Sequence, residues 1–116
     1  MNKENAIKER LGEFEELILL CVGGLGESAY AARIQQRLEE DVGRSAALGA
    51  IYAALDRLER KTFVRSWLGS PTAERGGRRK RFYAVTSGGV DALEQLRTAR
   101  TLLWRRFEAE LAGAQP

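Results

Sequence analysis

The 116-residue sequence contains no histidine. That absence removes the commonest general base, the commonest metal ligand and the usual partner of a nucleophilic serine or cysteine. Cysteine occurs once, as Cys21 in the apolar run Leu17 to Val22, so no intrachain disulfide can form. The position reads as a small buried hydrophobe on a helix, not as a reactive thiol, and such cysteine usage suits a reducing cytoplasm. No apolar stretch approaches the ~18 residues that would cross a bilayer, and the opening MNKENAIKERLGEF lacks the apolar core of a signal peptide. The expectation is a cytoplasmic protein without a membrane partner.

Carboxylates are present, but without a catalytic arrangement. Glu15-Glu16 and Glu39-Glu40-Asp41 fall on helical segments among basic residues and read as solvated helix faces. The cluster Gly23-Gly24-Leu25-Gly26 does not follow a strand and lacks the lysine of a phosphate loop, so it reads as a helix stop. No catalytic residue, metal site or cofactor is expected, and an enzyme is the poorest of the possible readings.

What the sequence does have is a concentrated positive window. From Lys61 to Arg81 there are seven basic residues (Lys61, Arg65, Arg75, Arg78, Arg79, Lys80, Arg81) against the single acid Glu74. The whole chain is only +3, so the remainder is mildly acidic. Such a patch is the electrostatic footprint of a surface that meets a polyanion. With 44% apolar residues, the chain has enough material for one core.

Helical periodicity predicts three helices ahead of this window. The first runs from about Glu13 to Val22, with Phe14, Leu17, Ile18 and Cys21 as its buried stripe and the glycine cluster ending it. Ser28 is a candidate N-cap for a second, with Tyr30, Ile34 and Leu38 on one face. Ser45 is a candidate cap for a third, in which Leu48, Ile51, Leu55 and Leu58 recur up to Arg60 or Lys61. Strand signals follow at Phe63 to Leu68 and Arg81 to Val85, around a loop rich in Gly, Ser and Pro. Thr86 then caps a final helix of about 25 residues, in which Leu93, Leu96, Leu103, Phe107 and Leu111 keep near a heptad repeat. At 1.5 Å per residue it extends roughly 37 Å, too far for one small domain to cover. Its distal half needs a partner.

The fold class is therefore mainly α with a small β-hairpin: a winged helix-turn-helix over residues 1–86 and a long C-terminal dimerisation helix over 87–116, in one structural unit. In such a module the third helix enters the major groove of double-stranded DNA. Its outward face would carry Ala46, Gly49, Ala50, Ala53, Arg57 and Arg60, with Ser45 at the start, Tyr52 at the edge and Lys61 at the end. Small residues let the backbone approach base edges and touch thymine methyl groups, but supply few bidentate bonds. Arg75, Arg78, Arg79 and Lys80 on the wing are the candidate phosphate contacts.

Two segments carry a more specific resemblance. Gly49-Ala50-Ile51-Tyr52-Ala53-Ala54-Leu55-Asp56-Arg57-Leu58-Glu59 is similar to the recognition-helix signature of the PadR family of bacterial transcriptional regulators, and Gly77 to Gly89 resembles its wing strand and the start of its last helix. The likeness covers about Leu11 to Leu96. Ala53 stands where members often have proline, and Thr62 where they often have the glycine that closes the helix. The resemblance implies a homodimer joined largely through the C-terminal helix, binding a pseudo-palindromic operator and usually repressing transcription. Candidate interface residues are Phe14, Leu96, Leu103, Trp104, Phe107 and Leu111. Some relatives bind planar or phenolic small molecules between the dimer halves, which makes Trp104 the candidate platform for a planar aromatic effector. A winged-helix module that binds protein instead of DNA is the competing reading, disfavoured by the charge of the wing because protein interfaces are depleted in lysine.

Overall fold

Three helices, a hairpin and one long helix follow each other in the expected order. The computed structural model describes residues 10–70 and 79–114. Its elements are α1 (Glu13–Leu25), a 3-10 turn (Gly26–Ser28), α2 (Ala31–Val42), α3 (Leu48–Arg60), β1 (Val64–Leu68), β2 (Arg81–Val85) and α4 (Ser87–Gly113). The fold is a winged helix with a C-terminal helical extension, mainly α with one antiparallel hairpin.

The deep face of α1 is Ile18, Leu19, Val22 and Leu25. Phe14, Leu17 and Cys21 are only partly buried, so the stripe is rotated from the sequence expectation. The helix also continues through Gly23 and Gly24 and stops at Gly26, whose φ of +58° favours glycine. Burial of Leu25 against the core carries the last turn past the two weak helix formers. Burial raises the Cys21 thiol above its ordinary pKa, with Arg37 opposing the shift, so the group stays a neutral packing element.

Neither Ser28 nor Ser45 acts as the expected cap. Ser28 lies in the 3-10 turn, where its hydroxyl donates to the Leu25 carbonyl, and extended Tyr30 is the residue that opens α2. Tyr30 is thereby withdrawn from the α2 stripe, which is Ala31, Ile34 and Leu38. It pairs instead with Phe82, while the Tyr83 amide donates to the Ala29 carbonyl at 3.0 Å, so residues 29–30 form a short third edge beside β2. Before α3 stands Ala47, and the segment ahead of it is held by Gln35, whose amide donates to the Ala46 carbonyl at 2.8 Å.

The buried side of α3 is Ile51, Ala54, Leu55 and Leu58. Leu48, expected inside, is 41% exposed, because the first turn of α3 projects beyond the core. The helix ends in a left-handed cap: Phe63 N–H bonds the Leu58 carbonyl and Thr62 N–H bonds the Glu59 carbonyl, both at 2.9 Å, with Thr62 at φ +65°.

Strands β1 and β2 pair from Val64↔Val85 to Leu68↔Arg81. Val64 and Tyr83 face the core; Trp67 and Phe82 face outward. The Thr86 hydroxyl then accepts from Gly89 N–H at 3.1 Å and caps α4 as expected. Gly89 is needed there, because a Cβ would collide with the Phe63 carbonyl and come within 2.7 Å of Val85. Among the described residues the apolar packing of α4 on the winged unit is confined to its first turns, through Gly89, Ala92 and Leu93, and every residue from Arg97 through Ala114 is exposed.

Candidate nucleic-acid interface

One side of the winged unit presents α3 and the base of the wing together. Along α3, Gly49, Ala50, Tyr52, Ala53, Arg57 and Arg60 are exposed; Ser45 just ahead is exposed and Ala46 half-buried. Tyr52 is 46% exposed, at the boundary between this face and the hairpin. Burial, together with the nearby Tyr52, pushes the phenol of Tyr83 up to about 12.

The hairpin is tied to this helix by polar bonds. Ser66 Oγ donates to the Glu59 carboxylate at 2.8 and 3.0 Å, and accepts from Arg81 Nη1 at 3.1 Å. Arg81 thus leans toward α3 while Lys80, one residue earlier, points to the other face and sits 4.3 Å from the Tyr30 ring centroid. On that outer face Tyr30 meets Phe82 edge-on, Phe82 stacks on Trp67 and Arg65 covers Trp67 at 4.8 Å. Cation–π and aromatic contacts of this kind stiffen the base from which the wing projects. Arg79 is exposed; Arg75 and Arg78 lie outside the described residues.

Lys61 is placed differently from the sequence expectation. Its ammonium donates to Glu15 Oε1 and Oε2 at 2.8 and 3.0 Å and to the Arg10 carbonyl at 2.8 Å, so its three donors point into the protein instead of toward a phosphate. Arg57 Nε also reaches Glu15 Oε2, at 3.2 Å, though its side chain stays 44% exposed. Glu15 itself is 4% exposed and in addition accepts from Gly12 N–H at 2.6 Å. Burial raises its pKa, but the hydrogen bonds from Lys61, Gly12 and Arg57 and the charge of Lys61 outweigh burial and hold the carboxyl below its ordinary value of 4.5. The sequence reading took Glu15 for a solvated residue. The spacing Gly12-x-x-Glu15 ahead of an apolar run, half of a capping box, was the local signal of its inward turn.

Residues 19–95 match the Transcriptional regulator PadR-like family. The chain belongs to this family. It is thus a PadR-like transcriptional regulator and not an enzyme. Among solved structures, it is similar to a PadR family transcription regulator from Clostridium difficile R20291, at 23% identity over 86% of this chain and 99% of that one, with a TM-score of 0.70. A PadR-like transcriptional regulator from Bacillus cereus is 19% identical over 84% of this chain and 90% of that one, at 0.67. PadR of Bacillus subtilis, solved in complex with operator DNA, is 22% identical over 72% of this chain and 46% of that one, at 0.61. No curated protein matches the chain.

In this PadR-like regulator the residues expected at a dimer interface divide into two groups. Phe14 is half-buried under the Arg44 guanidinium, 4.8 Å from its ring centroid, and Leu96 is half-buried on α4. Leu103, Trp104, Phe107 and Leu111 are 65, 59, 53 and 49% exposed, with the Trp104 and Phe107 rings 5.7 Å apart. Between α1 and α4 runs an open groove of about 650 Å³ whose walls include Leu20, Leu93, Arg97, Arg100 and Trp104. Glu16 lies on its α1 side and receives Arg100 Nη2 at 2.8 Å. No described helix is long and apolar enough to cross a membrane.

Proposed function

We infer that the chain is a dimeric cytoplasmic repressor that binds a pseudo-palindromic operator in double-stranded DNA. The observation that carries this reading is the fixed placement of the small-residue face of α3 beside a basic hairpin, with Ser66 joining Glu59 of α3 to Arg81 of the wing. A helix with Gly49, Ala50 and Ala53 outward lies close in a major groove, while Arg79 at the exposed edge of the wing neutralises a flanking phosphate. Operator binding by PadR of Bacillus subtilis supports the same use of the fold. Residues 87–116 serve as the dimerisation helix, setting two copies of the 1–86 unit against two half-sites. The groove beside Trp104 is where a planar aromatic effector would bind and relieve repression.

The test is to capture genomic fragments on the purified protein, sequence them and titrate the enriched site at several salt concentrations. A two-fold-related site bound with a steep salt dependence is expected. Absence of DNA binding at low salt would leave the winged helix as a protein-interaction module.

A further inference from the structure

Glu15 and Glu16 are adjacent on α1 and project about 100° apart around the helix. Glu15 turns to α3, where it holds Lys61 and Arg57. Glu16 turns to the groove and pairs with Arg100 of α4. A single turn of α1 is therefore tethered both to the end of the recognition helix and to the helix that walls the groove.

The opposite wall returns to the same place. Helix α4 begins at Thr86, whose hydroxyl donates to the Thr62 carbonyl at 2.6 Å and whose amide donates to the Phe63 carbonyl at 3.0 Å. From that lock α4 is one continuous helix through Leu93, Arg97 and Trp104 along the groove. The two walls thus meet at Glu16–Arg100 and converge again on residues 57–63, the last turn and cap of α3. Packed helices move as stiff bodies, so a change in the angle between α1 and α4 is felt at both of their attachments.

We propose that Glu15 and Glu16 are positioning residues that couple the groove to the C-terminal end of the recognition helix. The planar aromatic effector, entering the groove beside Trp104, would compete with the Glu16–Arg100 pair and alter the wedge between α1 and α4. Glu15 passes that change to Lys61 and Arg57, and so to the tilt and firmness of the last turn of α3. The regulatory meaning rests on the repressor reading above; the mechanical coupling does not, and it is measured without DNA.

Amide hydrogen exchange on the full chain, without DNA, tests the coupling at residues 57–63, with α2 amides 34–38 as the internal control. Arg100→Glu breaks the pair and should raise exchange at 57–63 by roughly two- to five-fold, the range of an exposed ion pair, and leave 34–38 unchanged. Restoring the pair in reverse, as Glu16→Arg with Arg100→Glu, should return exchange to the original rate. In a Glu15→Leu background Arg100→Glu should add nothing further at 57–63, because no acceptor for Lys61 or Arg57 is left at that position. If Glu15→Leu does not fold, Arg57→Met together with Lys61→Met cuts the same bonds from the other side. Exchange at 57–63 that ignores Arg100→Glu, or rises equally with and without Glu15, overturns the proposal. A chain that shows the coupling but binds no DNA overturns the repressor reading alone.

Discussion

The Lys61 ammonium lies 2.8 and 3.0 Å from the two carboxylate oxygens of Glu15, so the residue that caps α3 is bonded to the first turn of α1. The Glu15 side chain is 6% exposed, which gives the pair a low-dielectric setting that surface ion pairs lack. Lys61 and Arg57 are consequently part of the scaffold that holds α3, a role different from direct neutralisation of a phosphate.

This pair sets an acid limb on stability. The folded-state pKa of Glu15 is below its ordinary value, so its contribution is fully present above about pH 4.5 and is lost as pH falls through the lower, folded value. Glu15→Gln keeps the shape and removes the charge. It should cost about 1 to 3 kcal/mol near neutral pH and flatten the decline in stability below pH 4.5, as read by urea denaturation across a pH series. Equal acid sensitivity in the two proteins would assign that limb to other carboxylates.

A second prediction concerns Thr62, a β-branched residue in the left-handed region at φ +65°. Its carbonyl is useful, since it accepts from Thr86, but its side chain opposes the backbone conformation. Thr62→Gly retains the carbonyl and relieves the strain. Stability should rise by roughly 1 kcal/mol, visible as a higher melting temperature with unchanged DNA affinity. A fall in stability would mean that the short bond from the Thr62 hydroxyl to the Lys61 carbonyl outweighs the strain.

The wing should contribute mainly sequence-independent affinity. Arg79 is exposed at the described edge of the wing, next to Lys80. Arg79→Ala should weaken operator and random DNA by similar factors and reduce the salt slope by roughly one unit if one phosphate contact is lost. An unchanged slope would remove Arg79 from the set of phosphate contacts.

Tyr52 offers a cleaner single-atom test. Its ring borders the recognition face, and at 46% exposure the hydroxyl can reach a phosphate without unpacking. Tyr52→Phe should lower DNA affinity by about 1.5 to 3 kcal/mol, the range for a hydrogen bond to a charged group, with little change in melting temperature. Normal affinity would make the ring a packing element only.

The order of elements, the hairpin and the Thr86 cap were legible because each is written locally, in periodicity, β-branched runs and a residue of capping type just ahead of the final helical pattern. The exposed distal half of α4 was legible from length alone. The orientation of Lys61 was not, because its partner Glu15 is 46 residues away and only tertiary packing brings the two together. The rotated stripe of α1, the exposure of Leu48 and the withdrawal of Tyr30 to the sheet have the same origin. In each, the position of a neighbouring element decides between faces that look equivalent in sequence. Ser28 and Ser45 were good caps by type, yet the 3-10 turn and the Gln35–Ala46 bond fixed the helix starts elsewhere.

The distal half of α4 carries the final prediction. Leu102, Leu103, Trp104, Phe107 and Leu111 are each about half exposed or more, in a run too large and too apolar to be left to water on a stable soluble helix. A 27-residue helix extends about 40 Å, and among the described residues its apolar packing on the winged unit is confined to the first turns. Association with a second copy would bury these side chains and fix the spacing of two α3 helices. A chain truncated after Thr101 should therefore keep the helical and strand content of the winged unit, sediment as a monomer and lose operator affinity far more than random-DNA affinity, because two half-sites about one helical turn apart can no longer be held together. Trp104 reports on the intact chain once Trp67 is replaced by Phe: its emission should shift on dilution through the dissociation range. Should the truncated chain still sediment as a dimer, the association surface lies elsewhere, with the half-buried Phe14 face of α1 the next to test.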